Sequence, residues 1–326
     1  MLETDPGAFE VHRTTVRGGV EIAYAREGVG GVPLVLIHGW PSTKRLFWRN
    51  IQPLADAGFE VIVPDSRGFG DSAVPHDPAD GATIVDVSLD VRELLDQLGH
   101  SRVVLAGGDF GDGTVQDMSL RFPELVVRQV VWNGPSANLP DEYAAAGIPG
   151  SQFEEVSALS SHLADHGTEA DRFAAALTSD QQRIDYVKGY YTVRTWTGGG
   201  EPIRLAAEGS FDDESAGFMA EPFGGAAQFR ASLRGYEAVM NPELSPEPAL
   251  LDRRNLRTET MVLYGTCDGI VGPNFARRAE VCFEHLVGPF LIQDSGHFLS
   301  WERSSVFNSA LVSFCRDLLP APAERR

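Results

Sequence analysis

Cysteine and positive charge are scarce in this sequence, and long apolar runs are missing. The three cysteines, Cys267, Cys282 and Cys315, are far apart and odd in number. That excludes a disulfide framework and a cysteine zinc site as organising features. Only 27 Lys and Arg stand against 46 Asp and Glu in 326 residues, a formal charge of −19. A chain so acidic repels phosphate backbones and anionic lipid, so neither nucleic acid nor a membrane is an expected partner. No apolar stretch approaches the length of a membrane span. The opening Met1-Leu2-Glu3-Thr4-Asp5-Pro6 lacks the basic and apolar parts of a secretory leader, and the cytoplasm is the expected address. Gly28-Val29-Gly30-Gly31 precedes a strand instead of following one, which excludes a dinucleotide-binding loop.

What is present is an alternation of strand and helix patterns. Val11–Val16 and Val20–Tyr24 read as a hairpin around Arg17-Gly18-Gly19. Pro33–Ile37, Val61–Val63 and Val103–Ala106 are unbroken apolar runs, expected of strands covered on both faces. Between them, Phe47–Ala57 and Ile84–Leu98 carry helical spacing, the second stopped by Gly99. Val126–Trp132 adds a strand, and then the character changes. Residues 134–256 show helix signals and loops only. Thr178 and Gln181 begin one helix, which reaches Arg194. Another covers Ala226–Met240, with Phe229, Leu233, Tyr236 and Met240 on one face. Sheet patterning returns at Thr260–Gly265 and Gly288–Ile292, and a helix over Val306–Leu318 closes the chain. The order implies an α/β protein with a mostly parallel doubly wound sheet. Residues 1–133 and 257–326 form the main domain, and 134–256 form an inserted helical cap.

The chemistry centres on Gly107-Gly108-Asp109-Phe110-Gly111, which separates strand Val103–Ala106 from a helix over Thr114–Phe122. The spacing is that of a nucleophile on a sharp strand-to-helix turn. Such a turn strains the central residue and leaves no room for side chains two places before and after it. Taken alone, the stretch reads equally as a turn with a helix N-cap. Two distant residues decide between the readings. Asp268 follows strand Thr260–Gly265, and His297 follows strand Gly288–Ile292. Both sit with Asp109 on the carboxyl edge of the sheet, in the order nucleophile, acid, histidine.

These segments resemble the α/β-hydrolase family, in particular its Asp-nucleophile branch of epoxide hydrolases and haloalkane dehalogenases. The resemblance covers Val11 to Pro135 and Thr260 to Phe314. His38-Gly39-Trp40-Pro41 resembles the H-G-x-P motif, and Asp65-Ser66-Arg67-Gly68-Phe69-Gly70-Asp71-Ser72 the D-x-R-G-x-G-x-S loop. Gly108-Asp109-Phe110-Gly111 stands at the nucleophile, and Ser295-Gly296-His297-Phe298 with Glu302 at the histidine. The resemblance implies the α/β-hydrolase fold and an alkyl ester formed on Asp109. It implies hydrolysis of that ester by water activated at His297, which Asp268 orients. The backbone N–H groups of Trp40 and Phe110 would form the oxyanion hole. His38, Asp65, Arg67 and Asp71 are expected to support their loops. No cofactor and no metal are expected, and the resemblance allows a homodimer.

Within that branch the residues favour an epoxide opened to a vicinal diol. Phe110 has no N–H for a departing halide, and Trp40 stands where dehalogenases favour Asn. A haloalkane or haloacid dehalogenase is the alternative, and a binding relative without turnover is a third reading that the intact triad opposes. The expected partner is a small apolar epoxide. Tyr236 matches the second cap tyrosine, the acid that protonates the epoxide oxygen. Glu154–Leu159, where the first would fall, holds no Tyr. Tyr190 and Tyr191, in a cluster with Tyr186 and Trp196, are the expected substitutes. His162 and His166 read as surface residues.

Overall fold

The chain's apolar runs become eight strands: β1 (Val11–Val16), β2 (Val20–Glu27), β3 (Val32–Ile37), β4 (Phe59–Pro64), β5 (Val103–Gly108), β6 (Val126–Trp132), β7 (Glu259–Gly265) and β8 (Leu286–Ile292). The computed structural model describes residues 4–77, 80–150, 152, 155, 162–195, 204–272 and 274–320. Laterally the strands run β1-β2-β4-β3-β5-β6-β7-β8 in one sheet. β1 and β2 are antiparallel to each other, β2 is antiparallel to β4, and every later pairing is parallel. Helices on both faces bury the central strands, and every residue of β4 and β5 is buried. Burying each Val, Leu or Ile there contributes roughly 1.5–3 kcal/mol relative to exposure.

Three helices of the main domain position the site: α1 (Ile51–Asp56), α2 (Ile84–Leu98) and α3 (Phe110–Arg121). α2 has its expected bounds, because both ends are chemically marked. Thr83 and Asp86 cap each other reciprocally at its start, and Gly99 takes the left-handed conformation at its end, with φ 81°. The region expected as one helix over Phe47–Ala57 is instead a 3₁₀ turn at Lys44–Phe47 followed by the short α1. α3 starts four residues earlier than its side-chain pattern predicts. Gly111 and Gly113 are poor helix formers, yet packing demands them. A methyl on Gly111 would stand 2.2 Å from the Ile37 carbonyl oxygen, and one on Gly113 2.7 Å from Ile84 Cδ1.

Between β6 and β7 the described residues contain helices and no strand. The helix expected from Thr178 is capped instead by Ser179 with Gln182 and ends at Tyr191. The stripe over Ala226–Met240 breaks into helices Ala226–Ser232 and Arg234–Met240. At the break, the Ser232 hydroxyl donates back to the Phe229 carbonyl at 2.8 Å, a contact that bends helices.

The tightest requirement of the sheet is at Gly107. A methyl there would stand 2.3 Å from the Gly111 carbonyl oxygen, and neither backbone has room to retreat. Gly107→Ala should lower stability by about 1–3 kcal/mol, the usual size of an overpacking strain. Urea unfolding checks this, and an unchanged midpoint would contradict it.

Candidate active site

Asp109 lies between β5 and α3 with φ 55° and ψ −131°. A non-glycine residue there is strained by about 1–3 kcal/mol, and the turn thrusts its carboxylate off the sheet edge. Oδ1 accepts the Trp40 backbone N–H at 2.7 Å. Oδ2 faces His297 Nε2 at 3.3 Å. The Phe110 N–H is the first of α3 and has no helical carbonyl partner. Asp112, one turn further on, is fully buried, and burial holds its carboxyl well above the usual carboxylate range. Asp112 is buried away from the cavity, which leaves Asp109 as the carboxylate that lines it.

His297 is held on its other side by Asp268. Its Nδ1–H donates to Asp268 Oδ2 at 2.7 Å. The same oxygen accepts from Asn133 Nδ2 at 2.8 Å, while Oδ1 accepts the backbone N–H groups of Ile270 and Val271 at 2.9 and 3.1 Å. Asn133, at the end of β6 with φ 43°, has no motif around it and went unmarked in the sequence. Glu302 secures the histidine loop by accepting the N–H groups of Gly296, Ala207 and Phe298. Burial alone would depress the His297 pKa, but the carboxylates of Asp268 and Asp109 overcome it and raise it to about 10.

The supporting loops are self-contained. His38 Nε2 accepts the Ser66 N–H at 3.0 Å, and Nδ1 therefore carries the proton donated to the Gly39 carbonyl at 2.9 Å. Both nitrogens are spent on the loop, so His38 stands behind the site and not at the substrate. Asp65 accepts from the Lys44 N–H, the Lys44 ammonium and the Asp71 N–H. Arg67 forks onto Asp90 at 2.7 and 2.5 Å.

Asp109, His297, Trp40, Phe110 and Tyr236 line one cavity of about 1060 Å³. A description of the α/β hydrolase fold matches residues 32–304 of the chain. The chain belongs to the α/β-hydrolase fold family. It is 32% identical over 170 residues to the soluble epoxide hydrolase of Corynebacterium sp., an alignment that spans 52% of this chain and 55% of that relative's length. It is 26% identical over 344 residues to epoxide hydrolase A of Mycobacterium tuberculosis, spanning 92% of this chain and 95% of the relative. Its fold is similar to that of the epoxide hydrolase CorEH, with a TM-score of 0.77, 20% identity, and coverage of 95% of this chain and 99% of that one.

Residues from beyond β6 also line the cavity at Asp109, and here the structure departs from the sequence reading. Neither Tyr190 nor Tyr191 lines the cavity. Tyr191 donates to the Pro41 carbonyl, and its ring packs on Phe211 and Phe298. Tyr190 Oη bonds Tyr186 Oη at 2.7 Å, which bonds His166 Nε2 at 2.7 Å, and the Arg194 guanidinium covers both rings. Those hydroxyls are consumed by partners outside the cavity. Trp196 and most of Glu154–Leu159 lie outside the described residues. His162 and His166 are buried, not on the surface. Four residues apart, they share one face of helix His162–Thr168. That face packs into the aromatic group of Trp40, Tyr190 and Tyr236. His162 lines the cavity beside Tyr236, with ring centres 5.6 Å apart. Burial lowers its pKa to about 4, against the pull of Asp109, so it is neutral at pH 7.

Asp109 and Asp268 together hold the proton on His297, so removing one charge must release it more easily. Asp109→Asn should therefore lower the His297 pKa from about 10. Imidazole NMR titration reads the shift, and an unmoved resonance midpoint would refute the electrostatic assignment.

Proposed function

We propose that the chain is an epoxide hydrolase that opens an epoxide to a vicinal diol through an alkyl ester on Asp109. The observation that carries this reading is an aspartate on the strand-to-helix turn, with one oxygen on a backbone N–H and the other beside His297 at the cavity. A serine there would suit acyl transfer, whereas a carboxylate suits displacement at an sp³ carbon. The two relatives named epoxide hydrolases support it.

Oδ2 attacks a ring carbon and the C–O bond of the epoxide breaks. The oxygen takes a proton or hydrogen bond from Tyr236, whose hydroxyl has no partner among the described residues and is kept protonated by burial. Neutral His162 supplies the second donor from the adjoining wall. Oδ1, already on the Trp40 N–H, becomes the ester carbonyl oxygen. Alkylation removes the Asp109 charge, so His297 loses one of the two carboxylates that hold its proton. It then becomes able to take a proton from water, which adds to the Asp109 carboxyl carbon. The oxyanion develops on Oδ1 against Trp40 and Phe110. Cleavage of the Cγ–Oδ2 bond releases the diol, and an oxygen from water stays on Asp109. A halide would need an indole or amide N–H, but the Trp40 indole is committed to Ser232 Oγ at 3.2 Å.

A single turnover in ¹⁸O-water should therefore label Asp109 and leave the diol unlabelled, read by mass spectrometry of the peptide and product. Label in the diol alone would mean direct attack by water and would overturn the ester. His297→Gln should accumulate the ester, and Asp109→Ala should abolish turnover with the fold retained.

The donors act on the first step only. Tyr236→Phe should slow stopped-flow alkylation by roughly 10²–10⁴-fold, the usual size of general-acid assistance. His162→Phe should slow the same phase by a smaller factor, and neither should slow ester hydrolysis comparably. Unchanged alkylation in both variants would reduce these residues to packing. Halide release from alkyl halides, with no diol from any epoxide, would replace the substrate class.

A further inference from the structure

The space around Asp109 is one-sided. The large cavity is lined along much of the segment 134–150 and by apolar side chains such as Leu163 and Leu251. On the other side of Phe110 and Ile84 lies a separate hollow of only about 20 Å³, room for a single water. Phe110 and Ile84 line both spaces and form the wall between them. That wall is braced. The Phe110 ring packs edge-on against Tyr236 at 4.9 Å. A methyl on Gly235 would stand 3.3 Å from the same ring, so no slack exists on that side. The Ile84 side chain rests over Gly113.

Charge is as uneven as space. Among the described residues lining the large cavity there is no Lys, Arg or Glu. Its ionisable carboxylate and imidazoles, Asp109, His162 and His297, all belong to the reacting centre. A substrate carboxylate entering here would lose its water and find no unshared cation, since the His297 imidazolium already sits between Asp268 and Asp109, and Asp109 would repel it.

On the epoxide-hydrolase reading, which this inference rests on, we propose that the substrate is an uncharged, asymmetric epoxide. One ring carbon carries a long apolar group, and the other carries only hydrogen or a methyl. Phe110 and Ile84 enforce the asymmetry. With the ring held between Asp109, Tyr236 and His162, the long group runs under 134–150 and the small carbon faces the wall. At about 30 Å³ for a water-sized unit, the cavity of about 1060 Å³ holds on the order of 35 such units, more than a twelve-carbon chain needs. An epoxide with bulk on both carbons cannot seat without displacing the wall.

The test compares the terminal epoxides of butane and dodecane, the dodecane isomer epoxidised at mid-chain, and a dodecane terminal epoxide ending in a carboxylate. The dodecane terminal epoxide should exceed each of the other three in kcat/KM by at least about tenfold, the scale of a few methylenes gained or misplaced in an apolar pocket. Ile84→Ala should raise the mid-chain to terminal ratio of kcat/KM by about tenfold. Phe110→Leu should shift the mid-chain to terminal ratio in the same direction. Equal efficiency for terminal and mid-chain isomers in the unaltered protein, or equal use of the carboxylate, would overturn the inference and leave the epoxide reading intact. A variant pair that leaves the ratio unmoved would remove Phe110 and Ile84 from the role. Diol from none of these epoxides would defeat the underlying reading, and the inference with it.

Discussion

Asp109 is held with φ 55° and ψ −131°, a backbone conformation that the residue would leave if its surroundings allowed. They do not. β5 is paired on both sides by β3 and β6, and Gly107 and Gly111 let strand and helix approach closely on either side of the turn. The strain, about 1–3 kcal/mol, is sustained by a buried parallel sheet. In return the carboxylate leaves the sheet edge with two differently placed oxygens. One meets the Trp40 N–H and the other meets His297 and the cavity. A relaxed turn would lose both contacts together, so the site depends on this one constraint.

Electrostatics follows from that placement. A histidine between two carboxylates binds its proton tightly, and His297 is raised to about 10 despite burial. The arrangement keeps the imidazole protonated while both carboxylates are charged, and on the proposed mechanism neutralising Asp109 lowers the imidazole pKa and frees it to accept a proton. Asp268 cannot drift in response, since four donors hold its two oxygens. Glu302 plays the same part for the loop backbone. Burial raises its pKa against the pull of those N–H groups. A carboxylate that accepts three backbone N–H groups is therefore a fastener, not a catalyst.

Trp40 joins the two halves of the site. Its backbone N–H holds the nucleophile, its indole N–H reaches Ser232, and its ring packs on His162, His166, Tyr190 and Tyr236. Aromatic pairs of this geometry each contribute about 0.5–1.5 kcal/mol beyond area burial. Several of them converge on a residue 2% exposed. The Trp40 loop and the helices packed on it are thereby one unit, and displacement of those helices would disturb the Asp109 contact.

How much of this could be read beforehand differs by kind of residue. Strands β3, β5 and β6 were legible because a strand buried on both faces must be continuously apolar, and α2 because capping chemistry is local. Asp109, Asp268 and His297 could be named because glycine spacing and strand ends are features of the chain itself. The helix bounds around Ser179 and Leu233 were misplaced, since neighbouring capping frames differ by one residue and a bend leaves the apolar stripe intact. Asn133 carries no local signal, for its partner Asp268 is 135 residues away. His162 and His166 read as surface because each is polar in isolation. Only the meeting of Trp40, Tyr190 and Tyr236 in space makes their face an interior one. Tyr190 and Tyr191 were plausible donors until their hydroxyls were found bonded elsewhere. The sequence by itself thus determined the sheet, the strained turn at Asp109 and the strand-end positions of Asp109, Asp268 and His297, because these rest on short-range sterics and hydrophobic periodicity. Tertiary structure alone decided which side chains from beyond β6 face Asp109, because that depends on which hydroxyls and rings find partners across the fold.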